Sequence, residues 1–322
     1  NFRKRHSVMS SNSQSHILIV EDNAMFRHGL KQAINVSSQL DCVIEAVESA
    51  EEAQKAIQQN NKSYDLVISD LHLPGKSGFE LFQFLTLASP ETKQMLITGD
   101  NPLDYYDEAG NLKLYHMYNK GGLFQYDSFV RTVKGILSPD SVWGIQNYLK
   151  DDANITEFTL CSTDDIITRQ TETEQYLGKF ENPGISMLMV AVVEAMTNSV
   201  YHAMKTAGGE DLYGKHAVVD YLDESHQVTM AYGDDADKIA VSIRDQGGTL
   251  DPDLFLSFLK KNADPILALE DEGGGRGLYL MQMLSDQLVV NIEPDKSTEF
   301  VMIKWFKDPS DNTKPLLINY IR

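Results

Sequence analysis

The chain lacks most of what disulfide-stapled, nucleic-acid-binding or membrane-spanning proteins need. Its 322 residues contain two cysteines, Cys42 and Cys161, which argues against a disulfide framework and for a reducing compartment. Only 28 Lys and Arg stand against 47 Asp and Glu, a formal charge of -19. That surface repels nucleic acid and anionic membranes, so we expect neither as a partner. No apolar run in the sequence is predicted to span a bilayer.

What remains is a globular composition, with 42% hydrophobic and 23% charged residues. The length suits two domains. We expect residues 1–14 to be a tag remnant or a disordered N-terminus, because Met9 followed by serines is typical of a native start. A first domain would then cover residues 15–137, a connector helix residues 138–152, and a second domain residues 153–322.

The first domain is organised around Asp70, which ends a buried β-branched strand and is followed by a loop with Pro74 and Gly78. Further strands are predicted before, between and after predicted helices. The predicted strands are 16–20, 41–47, 64–69, 93–97 and 114–118; the helices are 24–34, 49–59, 78–87 and 124–137. This alternation predicts an α/β domain with a doubly wound, five-stranded parallel sheet.

Polar side chains follow the predicted strands at their carboxyl ends: Glu21, Asp22, Asp70, Thr98 and Lys120. Such ends meet at one edge of an open parallel sheet. Three carboxylates there would repel one another without a cation, and hard oxygen ligands suit Mg²⁺. The hydroxyl and the ammonium would bind phosphoryl oxygens.

These residues, with the Asp-x-x-x-Pro-x-x-x-Gly pattern that starts at Asp70, resemble a response-regulator receiver domain. The resemblance implies that a cognate histidine kinase phosphorylates Asp70, that Glu21 and Asp22 help to bind Mg²⁺, and that Thr98 and Lys120 read the phosphoryl group. Two positions depart from the family. Gly121 replaces the usual proline after the lysine, and Met117 replaces the usual aromatic switch residue.

The connector, residues 141–150, has an amphipathic pattern that predicts a short helix with Val142, Ile145, Tyr148 and Leu149 on one face. Three roles stay open for it: a rigid link, a docking surface for a second copy of the chain, or packing on the second domain.

The second half mixes strands and helices. The predicted strands are 156–161, 216–222, 227–232, 238–244, 287–292 and 299–306; the helices are 164–180, 185–204, 253–261 and 278–284. Within the long helix, Glu194, Asn198 and His202 are spaced four apart and share one stripe. A glycine run that opens the last helix at residues 273–277 is typical of phosphate binding.

The Glu194-x-x-x-Asn198 stripe, the Asp245-x-Gly247 pair and the glycine run occur in the order of the N, G1 and G2 boxes. This resembles the GHKL ATP-binding fold of gyrase, Hsp-ninety-type chaperones, histidine kinases and MutL, an α+β sandwich with helices on one face of a mixed sheet. The resemblance implies that Asn198 coordinates Mg²⁺ on ATP and that Asp245 binds the adenine amino group. It places these further residues at the nucleotide: His202, Gly247, Gly273, Gly274, Gly275, Arg276, Gly277 and Leu278.

No histidine occurs in residues 138–200, where a histidine kinase would carry its acceptor. The boxes look most like those of anti-sigma-factor serine/threonine kinases, in which Glu194 would be the general base. The prediction is a cytoplasmic response regulator, with a homodimer as its candidate assembly, whose output is an ATP-dependent kinase acting on an anti-anti-sigma-like protein. Gly248 and Thr249 differ from the residues usually found at those positions of the G1 box. The alternative is a non-catalytic, ATP-binding switch that sequesters a sigma factor or another partner.

Overall fold

The computed structural model describes residues 14–59, 63–120, 124–214, 217–263, 275–307 and 314–321. Three residues discussed above, Gly121, Gly273 and Gly274, lie outside these ranges, as do residues 1–13.

The first half forms the parallel sheet that the sequence predicts, with the strand order β2-β1-β3-β4-β5. Its strands are β1 (Ser15–Val20), β2 (Cys42–Val47), β3 (Leu66–Asp70), β4 (Lys93–Thr98) and β5 (His116–Asn119). Its helices are α1 (Ala24–Val36), α2 (Ala50–Gln59), α3 (Gly78–Ala88), α4 (Tyr106–Leu112) and α5 (Tyr126–Leu137). Helix α4 is an addition to the predicted elements.

Local sequence explains how the Asp70 loop is held. Ser77 caps α3 in a reciprocal capping box with Glu80, which satisfies backbone donors at the helix start. Gly78 begins the helix directly against the backbone of β3, where any Cβ would collide with the carbonyl oxygen of Asp70. The glycine eight residues after Asp70 is therefore a steric requirement of the loop that presents the carboxylate.

The second half contributes a mixed sheet with helices on one face, as the sequence predicts. Its strands are β6 (Asn154–Leu160), β7 (Val228–Asp234), β8 (Lys238–Asp245), β9 (Gln287–Glu293), β10 (Ser297–Trp305) and β11 (Leu316–Tyr320). Its helices are α6 (Thr163–Leu177), α7 (Pro183–Thr197), α8 (Pro252–Ala263) and α9 (Arg276–Leu284). Helix α7 continues as a π-helical turn, Asn198–His202. The strand predicted over 216–222 is wrong, since residues 217–222 are irregular.

Strand β11 was absent from the sequence prediction, and it joins the two halves. It pairs antiparallel with β5 through Leu316 and Leu317, and parallel with β9 along its whole length. In the described part of the chain the result is one sheet in the order β2-β1-β3-β4-β5-β11-β9-β10-β8-β7-β6. The receiver-like edge strand β5 is therefore not a free edge.

A hydrophobic cluster lies on each face of this sheet, and each cluster contains residues of both halves. The front cluster, under α2–α4 and α6–α9, brings Phe82 and Met117 together with Val290 and Ile318. The back cluster lies under α1, α5 and the connector. The two halves thus share their core.

A chain of buried polar side chains also crosses the joint on the back face. Asn291 of β9 donates through Nδ2 to Glu299 Oε2 of β10 (2.9 Å), and its Oδ1 accepts from Asn319 Nδ2 of β11 (2.7 Å). Asn319 Oδ1 in turn contacts Nε2 of His116 on β5 at 3.0 Å. Burial lowers the pKa of His116 to about 4, so the imidazole is neutral at pH 7. Polar groups that satisfy one another in this way fix the register of four strands.

The predicted connector helix is wrong. Residues 138–152 contain two 3₁₀ turns, Pro139–Ser141 and Ile145–Asn147, separated by Gly144 at φ +84°, a conformation that interrupts a helix. The expected apolar residues are nevertheless buried, and Ile145, Tyr148 and Leu149 pack in the back cluster. Of the three roles left open, packing on the second half is the one observed.

The expectation that no apolar run could span a bilayer is too strict. Pro183–His202 is 20 residues long with a mean hydropathy of 1.3, which suffices by length and composition. This is weak evidence for a span, because the core helix of a folded domain passes the same test. Here Leu188, Val192 and Met196 are fully buried in the front cluster.

We expect Ile318→Ala to lower the free energy of unfolding by about 2–5 kcal/mol, because this fully buried side chain of β11 leaves a cavity at the joint. Urea denaturation followed by circular dichroism measures the change. Val218→Ala, at a side chain that is 80% exposed, is the control and should stay within about 0.5 kcal/mol of wild type. Equal effects of the two substitutions would contradict a packed β11.

Candidate functional site

The first candidate site is a cluster of three carboxylates at the carboxyl ends of β1 and β3. Ligand oxygens of Glu21, Asp22 and Asp70 all lie within 4.8 Å of one another. Adjacent parallel pairing of β1 with β3 brings them together, as the sequence predicts. Glu21 and Asp70 are buried, whereas Asp22 is exposed and gives the cluster an open side.

Lys120, which follows β5, contacts two carboxylates of this cluster. Its Nζ lies 2.5 Å from Asp70 Oδ2 and 3.2 Å from Glu21 Oε2. Burial acts to lower the pKa of Lys120, but the hydrogen bond and charge of Asp70, with the charge of Glu21, outweigh burial and raise it. The pKa of Glu21 is raised by burial and by the neighbouring Asp70 charge. One ammonium therefore leaves the carboxylates short of positive charge.

The residues fit a divalent cation. Asp70 Oδ1 is buried and has no hydrogen-bond partner among the described residues. A buried acceptor without a donor is costly, and a cation beside Glu21, Asp22 and Asp70 would remove that cost. The oxygen-only donor set suits Mg²⁺, which keeps some water ligands and accepts oxygens from a phosphoryl group.

Thr98 lies at the end of β4, the strand next to β3, and is fully buried. Its Oγ1 accepts a hydrogen bond from the backbone N–H of Asp100 at 3.0 Å. The Asp100 carboxylate is held in turn by Tyr105 Oη (2.5 Å) and His72 Nε2 (2.6 Å). These two hydrogen bonds lower the pKa of Asp100. The hydroxyl predicted to read a phosphoryl group thus begins a polar chain that leads to α4.

The second candidate site is a cavity of about 630 Å³ on the front face of the second half, a size typical of ligand pockets. Residues from both predicted boxes and from the start of α9 line it. Among these are Glu194, Asn198, His202, Asp245, Gly275, Arg276, Gly277 and Leu278. Gly247 lies beside the cavity, where a Cβ would collide with the backbone of Ala203.

Helix α7 supplies the polar stripe, and its last turn widens into a π-helix at Asn198. Such π-helical turns occur often at functional sites. Glu194 points toward the start of α9, where a Cβ at position 277 would collide with Glu194 Oε2. Gly277 therefore lets the carboxylate come up to the backbone at the helix N-terminus.

Asp245 ends β8 and is buried at the floor of the cavity. Its Oδ1 accepts hydrogen bonds from the N–H groups of Gly247 (2.9 Å), Gly248 (3.4 Å) and Thr298 (3.3 Å). Among the described residues, the donor to its Oδ2 is Ser199 Oγ, at a long 3.5 Å. Burial raises the pKa of Asp245 to about 6 even though those donors act to lower it. Oδ2 is the oxygen placed to accept a hydrogen bond from a ligand.

Two residues at the cavity rim were absent from the sequence prediction. Lys205 lines the cavity, and its Nζ lies 2.5 Å from Asp211 Oδ1. The other oxygen of Asp211 lies 2.8 Å from Nδ1 of His202. Asp211 thus holds two basic side chains beside the cavity. Lys205 lies just after the π-helical turn and pairs with Asp211 in an isolated antiparallel β-bridge, which no local sequence pattern predicted.

Comparison with known proteins agrees with the assignment of one candidate site to each half of the chain. The model of the response regulator receiver domain matches residues 17–121, and that of the histidine kinase-like ATPase domain matches residues 179–304. The serine-protein kinase RsbW of Listeria innocua is 32% identical over 143 residues, which are 42% of this chain and 77% of that protein. The chain is a receiver domain joined to a histidine kinase-like ATPase domain of the RsbW family.

Other relatives match one of these two domains. RsbW of Listeria monocytogenes is also 32% identical over 143 residues, again 77% of that protein. The oxygen regulatory protein NreC of Staphylococcus epidermidis is 28% identical over 106 residues, 33% of this chain and 44% of NreC. A signal receiver domain from Pseudomonas fluorescens is 24% identical, with a TM-score of 0.37, covering 41% of this chain and 93% of that one.

The family resemblance implies that Asp245 accepts a hydrogen bond from the adenine amino group, and this contact would need an ionised carboxylate. We therefore expect ATP to bind the RsbW-like domain more weakly as the pH falls through 6. The pKa of Asp245 of about 6 leaves the carboxylate mostly ionised at pH 7 and mostly protonated at pH 5. The dissociation constant for ATP should therefore rise about tenfold from pH 7 to pH 5, as calorimetry would measure.

Purine riboside triphosphate is the matched control, because it carries the same titrating phosphates but lacks the amino group. Its affinity should change less than that of ATP over the same interval. Parallel pH profiles for the two nucleotides would contradict the contact between Asp245 and the amino group.

Proposed function

We propose that the ATPase domain is an ATP-dependent protein serine/threonine kinase, and that the receiver domain accepts a phosphoryl group on Asp70. The observation that carries the proposal is the juxtaposition of Glu194 with Asn198 and Gly277 in one nucleotide-sized cavity. A carboxylate beside the backbone N-terminus of α9 stands where a phosphoryl group and an incoming hydroxyl would meet.

In this proposal Glu194 accepts the proton of a serine or threonine hydroxyl on the protein substrate. The hydroxyl oxygen attacks the γ-phosphorus of ATP, the bond to the β-phosphate oxygen breaks, and ADP leaves. Glu194 is half-buried and open to the cavity, which suits a group that must meet a substrate from outside. Phosphoryl transfer depends mainly on positioning and on neutralisation of charge, and both fall to the cavity residues.

Positive charge for the triphosphate comes from the cavity rim. Lys205 and Arg276 line the cavity, and His202 stands beside Lys205 on Asp211. Asn198 offers an amide oxygen where Mg²⁺ on ATP would be held, and the ion would neutralise further phosphate charge. The lining also includes the acids Glu194, Asp245 and Asp251, so the basic groups and the ion together would have to offset both these charges and those of the triphosphate.

The RsbW likeness supports a protein as the phosphoryl acceptor, and we propose a small anti-anti-sigma-like protein. A sigma factor is the second proposed protein partner. We also propose that the protein assembles as a homodimer. The receiver domain supports a cognate histidine kinase as the donor to Asp70. We propose a cytoplasmic location, where both proposed partners and ATP would be present.

We expect wild-type protein to transfer the γ-phosphoryl group of labelled ATP to a serine or threonine of such an acceptor protein. Glu194→Gln should lower the rate by about 10²–10⁴-fold, because the amide does not accept the proton, while ATP affinity stays within about threefold. Autoradiography of the acceptor and calorimetry with ATP provide the two measurements. ATP binding without transfer by wild type would favour the non-catalytic, partner-sequestering alternative.

We expect acetyl phosphate and Mg²⁺ to phosphorylate Asp70, with the mass of one phosphoryl group added in intact-protein mass spectrometry. A carboxylate oxygen of Asp70 attacks the phosphorus, and acetate leaves. Asp70→Asn should take up no phosphoryl group, and Asp22→Asn should react more slowly because the cation loses a ligand. Unchanged labelling after removal of Mg²⁺ by a chelator would contradict the metal site.

A further inference from the structure

Helix α8 touches both the receiver domain and the nucleotide cavity. On the receiver side, Asp253 Oδ1 accepts a hydrogen bond from Tyr115 Oη at 2.8 Å, and Lys260 forms an ion pair with Asp107 of α4. Asp253 and Lys260 are seven residues apart, so they share one face of the helix. The same face therefore docks on α4 and on the residue that precedes β5.

The neighbouring face of α8 belongs to the nucleotide cavity. Leu254 and Phe258, four residues apart, both line it. Phe258 also lies against Gly275, where a Cβ would collide with the phenyl ring, and Gly275 has φ +91°. Because Gly275 precedes α9, the position of Phe258 constrains the start of the helix that carries Arg276 and Gly277.

A short chain of hydrogen bonds leads from the receiver site to the 3₁₀ helix that contacts α8. Thr98 Oγ1 accepts from the N–H of Asp100, and Asp100 binds Tyr105 Oη. Tyr105 ends a 3₁₀ helix (Pro102–Tyr105) that leads directly into α4 and itself contacts α8. A phosphoryl group on Asp70 that draws Thr98 Oγ1 toward itself would release the N–H of Asp100 and disturb this route.

The packing of α4 leaves one buried polar group unsatisfied among the described residues. Tyr106 is buried in the front cluster, and its hydroxyl has no hydrogen-bond partner among the described residues. A buried hydroxyl without a partner is unfavourable, so a shift of α4 that supplies a partner lowers the free energy of that state. Packed interfaces of this kind switch between discrete positions rather than deform continuously.

The sheet limits which movements are available. Because β11 pairs with both β5 and β9, the two domains do not rotate apart without breaking strand pairs. Helices α4 and α8 lie on the front face and can slide without that loss. These two helices are therefore the elements between the sites whose movement would not break strand pairs.

We propose that α8 transmits the state of Asp70 to the nucleotide cavity, through α4, Phe258 and Gly275. The proposal rests on the proposed function, since it assigns the regulation of the same nucleotide site. The polar route from Thr98 through Asp100 and Tyr105 takes the place of the aromatic switch, whose position holds Met117, fully buried and paired with Leu316 of β11.

The test measures binding of the β,γ-imido analogue of ATP by calorimetry, with and without beryllium fluoride, which mimics the phosphoryl group on Asp70. We expect the affinity of wild type to change at least about fivefold, a typical coupling between sites. Because coupling is reciprocal, the analogue should change the affinity for beryllium fluoride by the same factor.

Tyr115→Phe and Lys260→Gln remove two polar contacts that described residues of α8 make with the receiver domain, and neither residue lines either site. The double variant should reduce the coupling factor to below about twofold, while each ligand alone binds as to wild type. Lys296→Gln removes an exposed ion pair with Glu293 and is the matched control, with wild-type coupling expected.

The outcomes separate the two proposals. Analogue binding that beryllium fluoride leaves unchanged in wild type would overturn the role of α8 and leave the proposed kinase standing. Wild-type coupling in the double variant would also overturn the role of α8 and leave the proposed kinase standing. Absence of analogue binding to wild type would overturn the proposed function and the role of α8 together.

Discussion

The pairing of β11 with β5 on one side and β9 on the other is the constraint on which the rest of the structure depends. It converts two sheets into one and gives each face a core that runs through both domains. An isolated receiver would leave β5 as an edge with unpaired backbone groups, a surface open to other chains. Here the chain's own last described strand fills that edge.

The buried polar chain from Glu299 through Asn291 and Asn319 to His116 makes this pairing specific. A shift of β11 by one residue would turn Asn319 to the opposite face and leave its neighbours without partners. Burial also raises the pKa of Glu299, which accepts hydrogen bonds from the backbone N–H of Gly144 in the connector. The same network therefore fixes the connector against the back of the sheet.

The two candidate sites manage buried charge in opposite ways. At Asp70 three carboxylates meet one ammonium, and an unpartnered oxygen remains, so the site is built to take positive charge. At the ATPase cavity the buried carboxylate of Asp245 is held by backbone donors, and the described lining also includes the acids Glu194 and Asp251 and the bases Lys205 and Arg276. In the proposed function, the first site would bind a cation together with a phosphoryl group, and the second would bind an anion that brings its own cation.

The sequence by itself determined the elements that carry local signals. Alternating strands and helices, the acids at strand ends, and the spacing of Glu194, Asn198 and His202 follow from hydrophobic periodicity and from residue chemistry, because each is set within a few neighbouring positions. Only the tertiary structure decided how the halves meet. The sequence of β11 resembles an ordinary apolar segment. Gly144 interrupts a connector whose residues have helical periodicity. The two contact faces of α8 are visible only in the folded structure, where α4 packs against one of them. The pairing of β11 with β5 and the contact between Tyr115 and Asp253 join residues more than 100 positions apart in the chain, and no local pattern encodes such pairings.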